Sequence, residues 1–328
     1  MSARRGPSEA WPPGGRVGGV AVTAAVAHVP GLSGAELPGA GATPACGPDD
    51  ARTVLGRKGL LGKEPSTRLA LCAVHRAFGL PPGRPAEPVP GAAGTAVLVS
   101  SNLGNIGTVC AVMEEMRAGR GVSPLDAPNA SSNVIASTIS IWYGLTGPNV
   151  MLCDGATSGL DAVRLGELLL RSGRAHRAVV VGVEPEDPAS AELASLGPVG
   201  RPLLAGAACV VLEPYVPGET PAVLLGAGTG LAAREPEPDV PEGAVRLRSV
   251  GAGADALARL GDSYGAHGVL QVAVAAAELA RRAGTPAGRA AGWDSAVLSC
   301  GDPEDGYAAR WLGLVAAAAE VPVPAGAR

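Results

Sequence analysis

Short runs of β-branched and aliphatic residues recur along the chain, each followed by a segment of helical length. Thr95–Ser100 (TAVLVS), Asn149–Cys153 (NVMLC), Ala178–Val183 (AVVVGV) and Ala207–Leu212 (AACVVL) are apolar nearly throughout instead of alternating. A strand apolar on both sides is buried on both faces, as in a parallel or mixed sheet covered by helices. Arg16–Val26 opens the series. Helices are predicted over Glu64–Gly79, with Pro65 in the first turn, over Gly107–Ala118 and over Ala130–Tyr143, closed by Gly144. The strongest runs from Ser158 to Ser172, with Gly173 as its C′ residue. A shorter set follows: a strand over Ala222–Gly226, a helix over Gly268–Arg282, a strand over Ser295–Ser299 and a last strand within 306–319. Pro30–Asp50, Pro81–Gly91, Gly119–Asn129 and the charged, Pro-rich Ala232–Arg246 read as loops. Strands alternating with helices predict an α/β fold. Gly218–Thr220 marks a boundary. The expected division is a frayed tail at 1–15, a first α/β half at 16–218 and a shorter second half at 219–328.

Composition removes several function classes. Hydrophobic residues make up 47% of the 328 and aromatics only 3%, so the core must be built from Val, Leu and Ala. The 26 basic residues are outweighed by 30 acidic ones, a net charge of −4, with no basic stripe for nucleic acid or an anionic membrane. The longest apolar runs fall short of the ~18 residues of a membrane span. Met1–Gly15 lacks the apolar core of a signal peptide, so the expected location is the cytoplasm. The six cysteines (Cys46, Cys72, Cys110, Cys153, Cys209 and Cys300) form no C-x-x-C pair. In a cytoplasmic chain they read as reduced small hydrophobes, and neither a metal site nor a disulfide framework is expected. His28, His75, His176 and His267 are far apart and read as surface or structural histidines.

Two short motifs invite chemistry and fall short of it. Gly155-Ala-Thr-Ser-Gly159 resembles a nucleophile elbow, but G-x-S-x-G would need the serine one place earlier than Ser158. Ser158 and Asp161 instead predict a capping arrangement at a helix start. Gly226-Ala-Gly-Thr-Gly230 follows a strand, yet Leu231 stands where a dinucleotide fingerprint needs its last glycine, and no helix is predicted after it. No cofactor is expected. Cys153, just before the elbow and near a helix N-terminus, is a buried strand cysteine by default.

The stretch Ser123–Val183 resembles the N-terminal half of a β-ketoacyl synthase. Its Gly144-Leu-Thr-Gly-Pro-Asn149 matches the family's G-x-x-G-P-N, and a strand, the elbow A-C-x-S-G-x-D-A, a helix and a second strand follow in the family's order. Arg16–Val26 resembles the opening R-x-V-x-V-T-G strand. Gly261-Asp-Ser-Tyr-Gly-Ala-His-Gly268 resembles the late motif G-H-x-x-G-A-x-G. The likeness covers most of the chain, weakly in the last third. It implies a thiolase-like fold: two related α/β halves in an αβαβα layering, with the C-terminal half truncated.

Departures from the family pattern carry the functional expectation. Ala156 falls on the nucleophilic cysteine, Asp262 on the late histidine and Leu257 on the lysine five residues before it. H-G-T-G-T is absent, and G-F-G-G is reduced to Ser299-Cys-Gly-Asp302. The resemblance is closest to the chain length factor of type II polyketide synthases, especially of systems making reduced or polyene chains. It implies a subunit without catalysis of its own that pairs with an active ketosynthase, to which acyl carrier protein delivers substrate. Its dimer face is expected around Asn129, Ser132, Asn133, Ile135, Asn149, Met151 and Cys153. A wall of the tunnel for the growing polyketide chain is expected from Gly107, Cys110, Met113 and Glu114. The competing expectations are other chemistry of the same fold, malonyl decarboxylation or acyl transfer through Cys153 or Ser158, and a carrier-protein-binding scaffold.

Overall fold

The computed structural model describes residues 19–196, 203–216, 223–225, 245–248, 257, 263–283, 295–301 and 310–316. In chain order the first half contains β1 (Val20–His28), α1 (Arg52–Leu55), α2 (Pro65–Ala77), β2 (Thr95–Ser100), α3 (Ile106–Arg117) and α4 (Val134–Tyr143). It continues with β3 (Asn149–Leu152), α5 (Ser158–Arg171), β4 (Arg177–Glu184), α6 (Pro188–Ser195) and β5 (Gly206–Pro214). The second supplies β6 (Val223–Leu225), β7 (Val245–Arg248), α7 (His267–Ala283), β8 (Ser295–Cys300) and β9 (Arg310–Ala316).

The strands form one sheet of order β3-β2-β4-β5-β1-β6-β9-β8-β7. β3, β2 and β4 are parallel, and β5 runs antiparallel between β4 and β1. The second half repeats β2-β4-β5-β1 in reverse as β7-β8-β9-β6, with the same parallel and antiparallel relations. Among the described residues it has no counterpart of β3. The halves join where Ala21 and Val22 pair with Leu224 and Val223. The sequence boundary at Gly218–Thr220 lies outside the described residues.

Two apolar layers cover the first half. On one face, Leu69, Leu71 and Val74 of α2 and Ile135 and Ile139 of α4 pack on Val97, Val99, Val179 and Val181. On the other, Leu160, Val163 and Leu170 of α5 meet Leu98 and Val180. There α7 adds Val269, Val272 and Ala276, in one core with Ala296 and Leu298 of the second half. Because both faces are covered, β2 is buried at every position. The two central helices begin in close contact: a Cβ on Gly159 would lie 2.7 Å from Gly268, and one on Gly268 would lie 2.5 Å from the Leu160 nitrogen. Each also follows a short 3₁₀ turn, 155–157 before α5 and 264–266 before α7. The elbow is thus duplicated along with the sheet.

Local expectations hold for most elements, with instructive exceptions. Gly144 closes α4 in the left-handed region at φ +73°, and Gly173 follows α5 at φ +69°. Pro188–Ser195, unassigned from sequence, is a helix. Asp187 Oδ1 accepts from the Ser190 amide (2.9 Å), and Ser190 Oγ accepts from the Asp187 amide (2.8 Å). Asp187-Pro188 is an N-cap followed by proline at the first helical position, a readable start signal. The loop expected over Ala232–Arg246 lies mostly outside the described residues, and its last two belong to β7.

Candidate active-site elbow and dimer face

Leaving β3, the chain exposes Cys153 and Asp154, then turns through Gly155–Thr157 into α5. Gly155 adopts φ +83°, which favours glycine there. Asn102, just past β2, braces the turn from the side. Its Nδ2 donates to Gly155 O (3.0 Å), and its Oδ1 accepts from the Gly155 amide (3.2 Å). Ser158 Oγ accepts from the Asp154 amide (2.7 Å) and donates to Asp154 Oδ1 (2.5 Å). Ser158 is fully buried. The expected cap therefore takes a different form: the hydroxyl bonds back to Asp154, and Thr157 occupies the N-cap without a side-chain cap bond. The hydroxyl of Ser158, a candidate for acyl transfer, is thus buried and doubly engaged. Cys153, expected buried, is exposed.

Ala156 sits half-buried at the centre of this braced turn. Its methyl group has no atom to carry an acyl chain. Leu257 is buried in the central core, contributing apolar contact and no charge. Asp262 lies outside the described residues. Next to it in sequence, Ser263 Oγ is 2.9 Å from His267 Nδ1 at the start of α7.

Behind the turn lies a carboxyl group that sequence reasoning missed. Glu184, at the end of β4, is fully buried. Oε1 accepts from the amides of Asn102 (2.7 Å) and Gly265 (3.1 Å), and Oε2 from the Leu103 amide and Ser101 Oγ (both 3.0 Å). Ser100 Oγ also donates to Gly265 O. Glu184 therefore ties the Asn102 loop to the second-half turn. Burial pushes its carboxyl up to about 7, against the pull of its donors. Gly265 is required here, since a Cβ would lie 2.6 Å from Asn102 Nδ2 and 2.7 Å from Glu184 Oε1.

β3 is an edge strand, paired only with β2 among the described residues, and its four residues are half-buried. Asn149 fastens it to α4: Nδ2 donates to Ala136 O (2.9 Å) and Ser140 Oγ (2.7 Å), and Asn133 Nδ2 donates to Asn149 Oδ1 (2.7 Å). Gly147 of the same motif is forced, because a Cβ would meet Thr95 O at 2.4 Å. Of the residues expected on a dimer face, Ser132 is exposed, while Asn133, Asn149 and Met151 are half-buried. Ile135 is 1% exposed inside the chain's own core, and Asn129 is buried with its Nδ2 donated to Gly62 O and Leu125 O. Neither side chain is open to a partner. Ile141 on α4, by contrast, is 72% exposed.

No residue of α3 is buried. Gly107 faces α6, where a Cβ would lie 3.3 Å from the Asp187 carboxyl carbon, in a cleft shared with Lys63, Glu64 and Asp126. Cys110 is half-exposed, and Met113 and Glu114 are exposed.

The fold also gathers His28, Cys46 and Cys72, whose potential ligand atoms all lie within 4.8 Å of one another. This corrects the reading of Cys46 and Cys72 as scattered hydrophobes. Only the packing of α2 against β1 unites three residues so far apart in sequence. His75 behaves as a structural histidine, with Nε2 2.8 Å from Pro81 O.

Residues 58–197 match the family described as Beta-ketoacyl synthase, N-terminal domain. No curated protein matches the sequence. Among solved structures, the ishigamide ketosynthase/chain length factor aligns with TM-score 0.63 at 18% identity, over 91% of this chain and 99% of that one. AntDE:AntF, a type II polyketide synthase acyl carrier protein in complex with its ketosynthase, aligns with TM-score 0.64 at 13% identity, over 90% and 99%. The ketosynthase ApeO with its chain length factor ApeC, from Xenorhabdus doucetiae, aligns with TM-score 0.51 at 15% identity, over 90% and 98%. With its elbow, its edge strand and its repeated sheet, the chain has the thiolase-like ketosynthase fold, and its residues 58–197 resemble a β-ketoacyl synthase N-terminal domain.

Proposed function

We propose that this chain is a non-catalytic chain length factor that pairs with an active ketosynthase of a type II polyketide synthase. The observation that carries the reading is Ala156, at the nucleophile position of an elbow whose supporting bonds are intact. A turn kept in shape without its reactive atom fits a role in architecture. Two of the structures it resembles are ketosynthase assemblies with a chain length factor, and a third holds a ketosynthase with its carrier protein. In this reading β3 and α4 face the ketosynthase. Acyl carrier protein docks for the partner's chemistry, and α3 lines part of the tunnel for the growing chain.

Incubated alone with acyl and malonyl carrier proteins, the chain should release no ketoacyl product. Ala156→Cys should also stay inactive alone, because a thiol without a neighbouring histidine base is weakly activated. Co-expressed with a ketosynthase holding an intact Cys-His-His set, the wild-type chain should co-purify with it and support elongation. Turnover by the isolated chain, read by mass spectrometry, would refute the reading. A second reading rests on the exposure of Cys153, which could carry an acyl group. Covalent labelling of Cys153 by an acyl carrier protein thioester, lost in Cys153→Ser, would favour it.

The tunnel role is tested on α3. Gly107→Phe would collide with Asp187 and its helix cap whatever the role of α3, so Cys110 is the informative site. Cys110→Phe should leave the complex intact on gel filtration while its products shorten. Unchanged product length from an intact complex would remove α3 from the tunnel.

A further inference from the structure

Cys46 ends the loop after β1, half-buried, and Cys72 lies fully buried on α2. His28, at the end of β1, completes the cluster. Its Nε2 is 3.1 Å from Cys46 O and 3.8 Å from Cys46 Sγ. Arg76 Nη1 lies 3.1 Å from His28 Nδ1. A guanidinium only donates, so Nδ1 accepts and the ring proton sits on Nε2, facing Cys46. Arg76 is itself held against the loop, since a Cβ on Gly41 would fall 1.8 Å from its Nη2.

This polarity decides what the cluster is built to hold. A metal on Nε2 needs the lone pair there, which would move the ring proton to Nδ1 and set it against the Arg76 donor. A thiolate needs the reverse: donors aimed at sulfur and a cation nearby. Cys46 Sγ lies 3.8 Å from His28 Nε2, whose proton also meets Cys46 O, and within 4.8 Å of Cys72 Sγ on α2, with Arg76 of α2 behind the imidazole. The Thr53 hydroxyl of α1 faces it too, although its proton is engaged by Asp50 O (2.7 Å). These donors pull the Cys46 thiol far below the ordinary range, while the neighbouring sulfur and burial push Cys72 up.

We propose that Cys46 and Cys72 form a redox-active dithiol that reacts with hydroperoxides, Cys46 attacking and Cys72 resolving. The Cys46 thiolate attacks the terminal peroxide oxygen. The O–O bond breaks, the alkoxide leaves and takes a proton from solvent, and Cys46 becomes a sulfenic acid. Cys72 then loses its proton and attacks Cys46 Sγ. The S–S bond forms, the S–O bond breaks, and water leaves. Two thiols lose two electrons, and the hydroperoxide is reduced to an alcohol and water. An external dithiol restores the pair by exchange. The sulfurs start within 4.8 Å, so the end of the Pro30–Asp50 loop needs to close by no more than about 2.8 Å to reach the ~2.05 Å of a disulfide.

Two measurements on the intact chain test this. Iodoacetamide alkylation, followed peptide by peptide, should show a Cys46 rate that changes less than about twofold between pH 6 and 9. A free peptide thiol gains roughly two-hundredfold over that range. Hydrogen peroxide should give a Cys46–Cys72 disulfide by peptide mapping. In Cys72→Ser it should give a Cys46 sulfenic acid trapped by dimedone, and His28→Gln should slow the wild-type reaction. A Cys46 rate that climbs like the peptide thiol would overturn the proposal, as would peroxide consumption without the disulfide. Stoichiometric zinc binding lost in Cys46→Ser would overturn it in favour of a metal site.

Discussion

Ile141→Asp should abolish co-purification with the active ketosynthase while leaving this chain's own melting temperature nearly unchanged. Ile141 projects from α4 with 72% of its surface open, and α4 packs against β3, whose outer edge pairs with no strand among the described residues. An open apolar residue on a helix that packs against such an edge strand invites a second chain, which would satisfy the edge groups and bury the isoleucine. Within the lone chain the substitution touches solvent, and surface changes of this kind stay within about 0.5 kcal/mol. Within an interface of obligate size, above roughly 2,000 Å², it buries an unpaired carboxylate. A cost of roughly 3–5 kcal/mol weakens association by about two to nearly four orders of magnitude. Met151→Asp should break the complex as well, but Met151 also packs against the α2–α4 core, so part of its effect falls on folding. The exposed site separates the two effects. Gel filtration of the co-expressed pair reads the outcome, with thermal melting of each variant alone as the control. A complex of wild-type affinity with Ile141→Asp would move the interface elsewhere.

The alternation of strands and helices was legible because continuous valine runs allow little besides buried strands. β2 falls at the expected residues, and α5 ends within one residue of its expected end. The turn before α5 was legible as a motif, and the reading of Ala156 as the residue at the nucleophile position rests on the family resemblance. Contacts made by topology were not legible. Glu184 reads as the end of a valine strand followed by proline, and nothing nearby announces four donors from two distant loops. The burial of Ile135 and Asn129 within the chain itself was not legible for a related reason. An apolar helix residue can face its own core or a partner, and only the packing of α4 on β2 and α2 decides which. The cluster of His28, Cys46 and Cys72 shows the same limit, since no spacing rule joins residues on β1, a loop and α2.

Glu184 carries the largest expected effect on stability. Glu184→Ala leaves the amides of Asn102, Leu103 and Gly265 and the Ser101 hydroxyl facing a cavity. Stranding that many buried donors costs roughly 3–5 kcal/mol. The loss should fall on the seam between the halves, because Gly265 is where the second half meets the Asn102 loop. Glu184 should also give the chain a distinctive pH dependence. Its carboxyl titrates near 7 when folded and near 4.3 when unfolded, so between those values the folded chain holds the extra proton. Stability from this group is therefore full below about pH 4, falls as pH rises towards 7, and levels off above it. Over that window the drop is roughly 4 kcal/mol. Glu184→Gln has nothing to titrate and should lack the slope, even though its amide meets donors that a carboxylate would accept. Urea unfolding at pH 5, 6, 7 and 8 tests this directly. The stability of wild type relative to Glu184→Gln should be greatest at pH 5 and shrink towards pH 8. A difference that grows with pH would mean that the four donors outweigh burial and hold the carboxylate ionised.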